Sequence, residues 1–136
     1  NDALTSLNVP QLTSTSTYFY VYGNAALTSL NAAQLTSTGD YFKVEYNVNL
    51  TSLNVPQLNS TGTYFEVTIN AALTSLNVSQ LTLTGYFRVR ARRLGPGAFA
   101  GMGRGVGSCS DGSLLLADPP QRRPDQLECA AAYVDG

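Results

Sequence analysis

The chain has 136 residues, a formal net charge of −1 from eight Lys+Arg and nine Asp+Glu, and 43% hydrophobic residues. That is about one domain by length, with enough apolar material for a core and no whole-molecule field to draw it onto nucleic acid or an anionic bilayer. No apolar run approaches 20 residues, which excludes a membrane-spanning helix, so the chain reads as a soluble one. His and Trp are absent, which removes the commonest general base, the imidazole of a nucleophilic triad and the usual zinc ligand. The carboxylates are sparse and fall on unrelated positions, so neither catalysis nor a metal or other cofactor is expected.

Residues 1–92 repeat themselves. Leu4, Leu27, Leu50 and Leu73 recur every 23 residues, as do Leu7, Leu30, Leu53 and Leu76, and self-similarity at a short fixed period marks a stacked repeat architecture. Asn8, Asn31, Asn54 and Asn77 keep the same register, as do Gln11, Gln34, Gln57 and Gln80, and Leu12, Leu35, Leu58 and Leu81. The fourth copy then loses one residue. Its later columns read Tyr18, Tyr41, Tyr64, Tyr86, then Phe19, Phe42, Phe65, Phe87, then Val21, Val44, Val67, Val89.

Each Tyr-Phe-x-Val segment alternates with period two in strand-favouring residues, and Gly39, Gly62 and Gly85 stand before it as turn signals, so one strand is predicted in each copy. The rest of each copy is dense in Thr, Ser and Asn and carries Pro10 and Pro56, which leaves no room for a helix. A unit this short cannot bury its own apolar face, so the copies must stack, each strand parallel to its equivalent in the next. The expected fold is a parallel, right-handed β solenoid with coils about 4.8 Å apart.

Phe19, Val21, Asn24, Leu27 and Leu30 follow the pattern F-x-V-x-x-N-x-x-L-x-x-L. This pattern resembles leucine-rich repeats of the receptor L-domain and microbial cell-surface kind. The resemblance implies an extracellular or cell-surface binding or adhesion module whose partner is a protein or a glycan. It also implies that the Asn after each strand turns inward and bonds the backbone of adjacent coils. Asn24, Asn47 and Asn70 occupy that place, whereas the fourth copy offers Arg92 and Arg93, so the ladder is expected to fail there.

Residues 93–136 change composition, with Gly95, Gly97, Gly101, Gly103, Gly105, Gly107 and Gly112 followed by Pro119, Pro120 and Pro124. Such a segment has little to pack and is expected as an end cap or as a disordered extension. Local order is expected only at Ser113 to Ala117 and at Asp125 to Val134, the latter as a short helix. Cys109 and Cys129 allow one disulfide, closing a loop of about 20 residues and contributing about 3 kcal/mol in an oxidising environment. Two free thiols and intermolecular links are the alternatives.

With Phe19 and Val21 inward, alternation sends Tyr18, Tyr20 and Tyr22 outward, joined by Tyr41, Lys43 and Glu45, then Tyr64, Glu66 and Thr68, then Tyr86, Arg88 and Arg90. Tyr supplies large contact area at low entropy cost, so this face is the candidate binding surface. Beside the Tyr column, Tyr20, Lys43, Glu66 and Arg88 alternate in charge from coil to coil, which favours cross-strand pairing. A second face carries Thr13 and Thr15, Thr36 and Thr38, Thr61, and Thr82 and Thr84, a spacing that resembles the Thr-x-Thr arrays of β-solenoid ice-binding proteins, although Asn59 and Leu83 interrupt it. Ice binding is the alternative function that follows.

Three glycosylation sequons start at Asn49, Asn59 and Asn77, and the first two are the expected sites because Asn77 belongs to a repeated column that ties it to the backbone. Arg88, Arg90, Arg92, Arg93 and Arg104 form a basic run read as a solvated end. Asn1 falls in the column of Asn24, Asn47 and Asn70. A start on a repeat boundary suggests a piece of a longer array, or else a bare coil end that stacks head to tail into a filament.

Overall fold

The computed structural model describes residues 1–81, 86–89 and 91, together with three short strands at 106–108, 114–116 and 129–130. The Cys109–Cys129 pairing, Thr82, Thr84, Arg90, Arg92 and Arg93 lie outside the described residues, as do the side chains of Tyr86 and Phe87.

Each full coil holds three strands. The first has β1 (Ser6–Asn8), β2 (Ser14–Thr15) and β3 (Tyr18–Tyr22), the second β4 (Ser29–Asn31), β5 (Ser37–Thr38) and β6 (Tyr41–Glu45), and the third β7 (Ser52–Asn54), β8 (Ser60–Thr61) and β9 (Tyr64–Thr68). The fourth contributes β10 (Ser75–Asn77) and β11 (Tyr86–Val89). Equivalent strands pair in parallel into sheets ordered β1-β4-β7-β10, β2-β5-β8 and β3-β6-β9-β11. The chain is therefore a parallel β solenoid with a 23-residue coil, and no helix occurs among the described residues. The residue missing from the fourth copy is absorbed before β11, where Tyr86 pairs with Tyr64 and Phe87 with Phe65.

Only the third strand of each coil was predictable. Ser-Leu-Asn and Ser-Thr are too short and too polar to carry an alternation signal, and they are strands because the coil beside them offers a ladder.

The repeated apolar columns form the core. Leu27, Leu50 and Leu73, then Leu30, Leu53 and Leu76, then Leu35, Leu58 and Leu81 are buried, as are Ala32, Val55 and Val78. Phe19, Phe42 and Phe65 stack at 5.0 Å between centroids and 4° between planes. Each fully buried Leu or Phe contributes about 1.5–3 kcal/mol. Leu4, Leu7, Val9 and Leu12 occupy the same columns at the first coil's end of the stack and are only partly buried.

Asn corners hold the coils in register. Asn47 Nδ2 donates to the carbonyls of Val21 (3.1 Å) and Glu45 (3.0 Å), while Asn47 Oδ1 accepts from the Asn24 amide (3.0 Å). The Asn47 amide in turn donates to Asn70 Oδ1 (3.0 Å), and Asn70 Nδ2 to the Val44 carbonyl (2.8 Å). The inward, backbone-bonding role expected of Asn24, Asn47 and Asn70 is what these contacts display.

Asn8, Asn31, Asn54 and Asn77 form a second ladder, amide to amide, with Nδ2 of each later coil donating to Oδ1 of the earlier one at 2.8–3.0 Å. Here the expectation for Asn77 is corrected. Its side chain sits on the outward side of β10 and bonds Asn54, not the backbone.

Leu114–Leu116 is a strand (β13), matching the local order expected there, and it pairs antiparallel with β12 (Val106–Ser108) and β14 (Cys129–Ala130). Within the stretch predicted as a helix, Cys129 and Ala130 are therefore strand, because pairing with Leu114 and Leu115 overrides a weak helical preference.

Candidate binding face

The outer side of the β3-β6-β9-β11 sheet collects the sequence-predicted residues, although Glu66 and Thr68 are buried there and not exposed as expected. In β3 the pattern of alternation is strict: Phe19 and Val21 are buried, and Tyr18, Tyr20 and Tyr22 are 57%, 55% and 53% exposed. The parallel register then places Tyr41 and Tyr64 beside Tyr18, and Lys43, Glu66 and Arg88 beside Tyr20. Tyr18 and Tyr41 stack at 5.0 Å and Tyr41 and Tyr64 at 5.1 Å, so the rings lie against one another and turn their edges outward.

The charges interlock as predicted. Lys43 Nζ meets Glu66 at 3.0 Å and Arg88 Nη1 meets it at 3.4 Å, leaving the Glu66 carboxylate between two cations. Each such cross-strand pair is worth a few tenths to about 1 kcal/mol. The Lys43 ammonium also lies 5.7 Å from the centre of the Tyr41 ring and 5.8 Å from that of Tyr64. The Glu66 hydrogen bond raises the Lys43 pKa above its ordinary value, outweighing the desolvation that lowers it. Tyr20 donates to Glu45 at 3.2 Å, and Thr68 Oγ1 donates to the same carboxylate at 3.2 Å. Partial desolvation first, and then the Glu45 contact, raise the Tyr20 pKa.

Sequence reasoning missed the corner beyond this sheet. Gly23, Tyr46 and Ile69 form one column and all three have positive φ, at 65°, 56° and 56°. For Tyr, and more so for β-branched Ile, that is a costly conformation. It holds Tyr46 and Ile69 in solvent at 45% and 43% exposure, beside the exposed Val48, with the Tyr46 ring 5.1 Å from Tyr22. The available signal was Gly23, a residue suited to this φ, at the head of a column otherwise filled by large apolar side chains.

The Thr face differs from a flat hydroxyl array. Thr13 is exposed and Thr36 half-buried, but Thr15 is half-buried and Thr38 and Thr61 are buried. In two-residue strands such as β2, β5 and β8, alternation turns the second residue into the core, so the Thr-x-Thr rows do not share one surface. The hydroxyls of Thr15 and Thr38 have no hydrogen-bond partner inside. Asn49 and Asn59 are both exposed, and Asn49 Nδ2 donates to the Ala25 carbonyl at 2.8 Å.

No helix among the described residues is long and apolar enough to cross a membrane. No family model matches the chain, and no curated protein or solved structure does either.

Proposed function

We propose that the protein is an extracellular or cell-surface binding module that engages a protein ligand through the Tyr face of its long-stranded sheet. The observation that carries this reading is the set Tyr18, Tyr20 and Tyr22, each more than half exposed on one flat strand and continued by Tyr41 and Tyr64 in register. A monomeric protein seldom leaves several large aromatics contiguous in solvent without a use for them. The stacked rings offer edges and phenol hydroxyls more than open ring faces, and interlocked Lys43, Glu66 and Arg88 border them. That mixture suits the irregular, partly polar surface of a protein better than a flat sugar ring, which needs an aromatic face to stack on.

The test is the full chain against arrays of extracellular proteins and of glycans, alongside a variant with Tyr18, Tyr41, Tyr64 and Tyr86 changed to Ser. Protein ligands that bind the parent and lose at least tenfold in affinity for the still-folded variant support the reading. Equal binding by both chains, or binding to glycans alone, contradicts it.

A further inference from the structure

The open edge of β3 has an unusual composition. Among the described residues β3 pairs on one side only, with β6. Natural edge strands are usually blunted by charge, Pro or shortness. Here the opposite holds: the inner strands β6 and β9 carry Lys43, Glu45 and Glu66 at outward positions and β11 at the far edge carries Arg88, whereas the five-residue β3 edge strand, Tyr-Phe-Tyr-Val-Tyr, has no charge and no Pro.

Backbone hydrogen bonds to β6 fix which groups this edge presents. The Gly23 amide donates to Glu45 O (3.1 Å), and Thr17 O accepts from the Tyr41 amide (3.2 Å). In a parallel ladder the N–H and C=O of one residue point to the same side, and those of its neighbours to the other. Residues 17, 19, 21 and 23 therefore face β6. The N–H and C=O groups of Tyr18, Tyr20 and Tyr22 face outward from the stack, the Tyr22 carbonyl accepting there from Asn24 Nδ2 at 3.2 Å with its second lone pair open.

In-register stacking of a further coil on this edge is opposed by one column. A Cβ on Gly39 would meet the carbonyl of Ser16, and a Cβ on Gly62 would meet the carbonyl of Gly39, in each case backbone of the preceding coil in the same column. Wherever a coil lies before it, this column needs a bare Cα. Ser16 carries a Cβ in that column, so head-to-tail stacking in register is opposed there.

We propose that the β3 edge pairs antiparallel with the β3 edge of a second copy, about a twofold axis at Tyr20. The strand is nearly palindromic about that residue, which is what an isologous contact requires. In this register Tyr20 opposes its own mate and Tyr18 opposes Tyr22 of the second copy. All of these are hydrogen-bonded positions, because the outward N–H and C=O groups belong to these residues. Phe19 then faces Val21 on the inner side, continuous with partly buried Leu4, Leu7, Val9 and Leu12, so the apolar end of one stack covers that of the other. The ring of Tyr18, already stacked on Tyr41 by one face, gains a neighbour for its other face.

Sedimentation velocity on the full chain, with two variants, tests this. The expected parent species has twice the 14.5 kDa chain mass. Tyr20→Glu sets a carboxylate beside Lys43 of its own chain and opposite its own mate, so it should restore the single-chain mass with the β signal in circular dichroism unchanged. Tyr20→Pro should do the same, since the N–H it removes bonds nothing within the coil stack. A parent that stays at single-chain mass up to about 1 mM overturns the proposal. So does growth beyond a dimer that Tyr20→Glu strengthens, because head-to-tail stacking would bring residue 20 against Arg88. Doubled mass that survives in both folded variants overturns it as well.

Discussion

Asn47 donates its side-chain amide to the carbonyl of Val21 in the preceding coil at 3.1 Å, while its own Oδ1 receives the backbone amide of Asn24 at 3.0 Å. One fully buried side chain thus closes backbone groups on two coils. Asn47→Ala should leave the Asn24 amide without a partner in the core, at about 1–3 kcal/mol, and take a second donor from the Val21 carbonyl, which keeps its ladder bond to β6. A loss of about 1–3 kcal/mol in urea unfolding is expected, larger than for Asn24→Ala at the end of the ladder. Equal and small losses at both positions would mean that the ladder is not what registers the coils.

The glycine column allows a sharper contrast. Gly39→Ala must push Cβ against the Ser16 carbonyl and Gly62→Ala against that of Gly39, so the coils have to separate locally. Each should lower thermal stability markedly, while Ser16→Ala, exposed and already bearing a Cβ, should be neutral within about 0.5 kcal/mol. Differential scanning calorimetry of the three variants decides it.

Thr38 is 3% exposed and its hydroxyl has no partner. An unsatisfied buried hydroxyl costs about 1–3 kcal/mol, so Thr38→Val should raise the melting temperature by several degrees. Ile69→Gly should also stabilise, by about 0.5–1 kcal/mol, because glycine relieves a φ of 56° at some cost in unfolded-chain entropy. A loss of stability in Ile69→Gly would show that the exposed Ile side chain contributes more than its backbone strain.

Alkaline conditions should weaken the sheet face. The Lys43 pKa is raised in the folded chain, chiefly by the Glu66 hydrogen bond, so its contribution is complete below the unfolded value and is lost as pH rises through the folded one. Tyr20 is raised too and acts in the same sense, since its neutral phenol is the form the fold favours. Melting temperature should fall more steeply above about pH 10 in the parent than in Lys43→Met. Parallel curves for the two chains would remove the Lys43–Glu66 pair from the account.

The repeat made the fold legible because each inward column had to be apolar in every coil: Leu27 with Leu50 and Leu73, Phe19 with Phe42 and Phe65. The outward Tyr, Lys and Glu positions followed from alternation alone. On the second face the Thr-x-Thr spacing spans three residues, Thr36 to Thr38, whereas the strand holds only Ser37 and Thr38, and Thr38 and Thr61 are interior. The Tyr46 and Ile69 corner was hidden because a left-handed backbone normally announces itself by Gly or Asn, and here only Gly23 does so.

Hydroxyl-radical footprinting of the full chain, free and bound to a protein ligand from the array, tests the binding face most directly. The account predicts that labelling falls at Tyr18, Tyr20, Tyr22, Tyr41 and Tyr46 and stays unchanged on the β1-β4-β7-β10 sheet. Protection confined to that other sheet, with the tyrosines labelled as in the free chain, would contradict it.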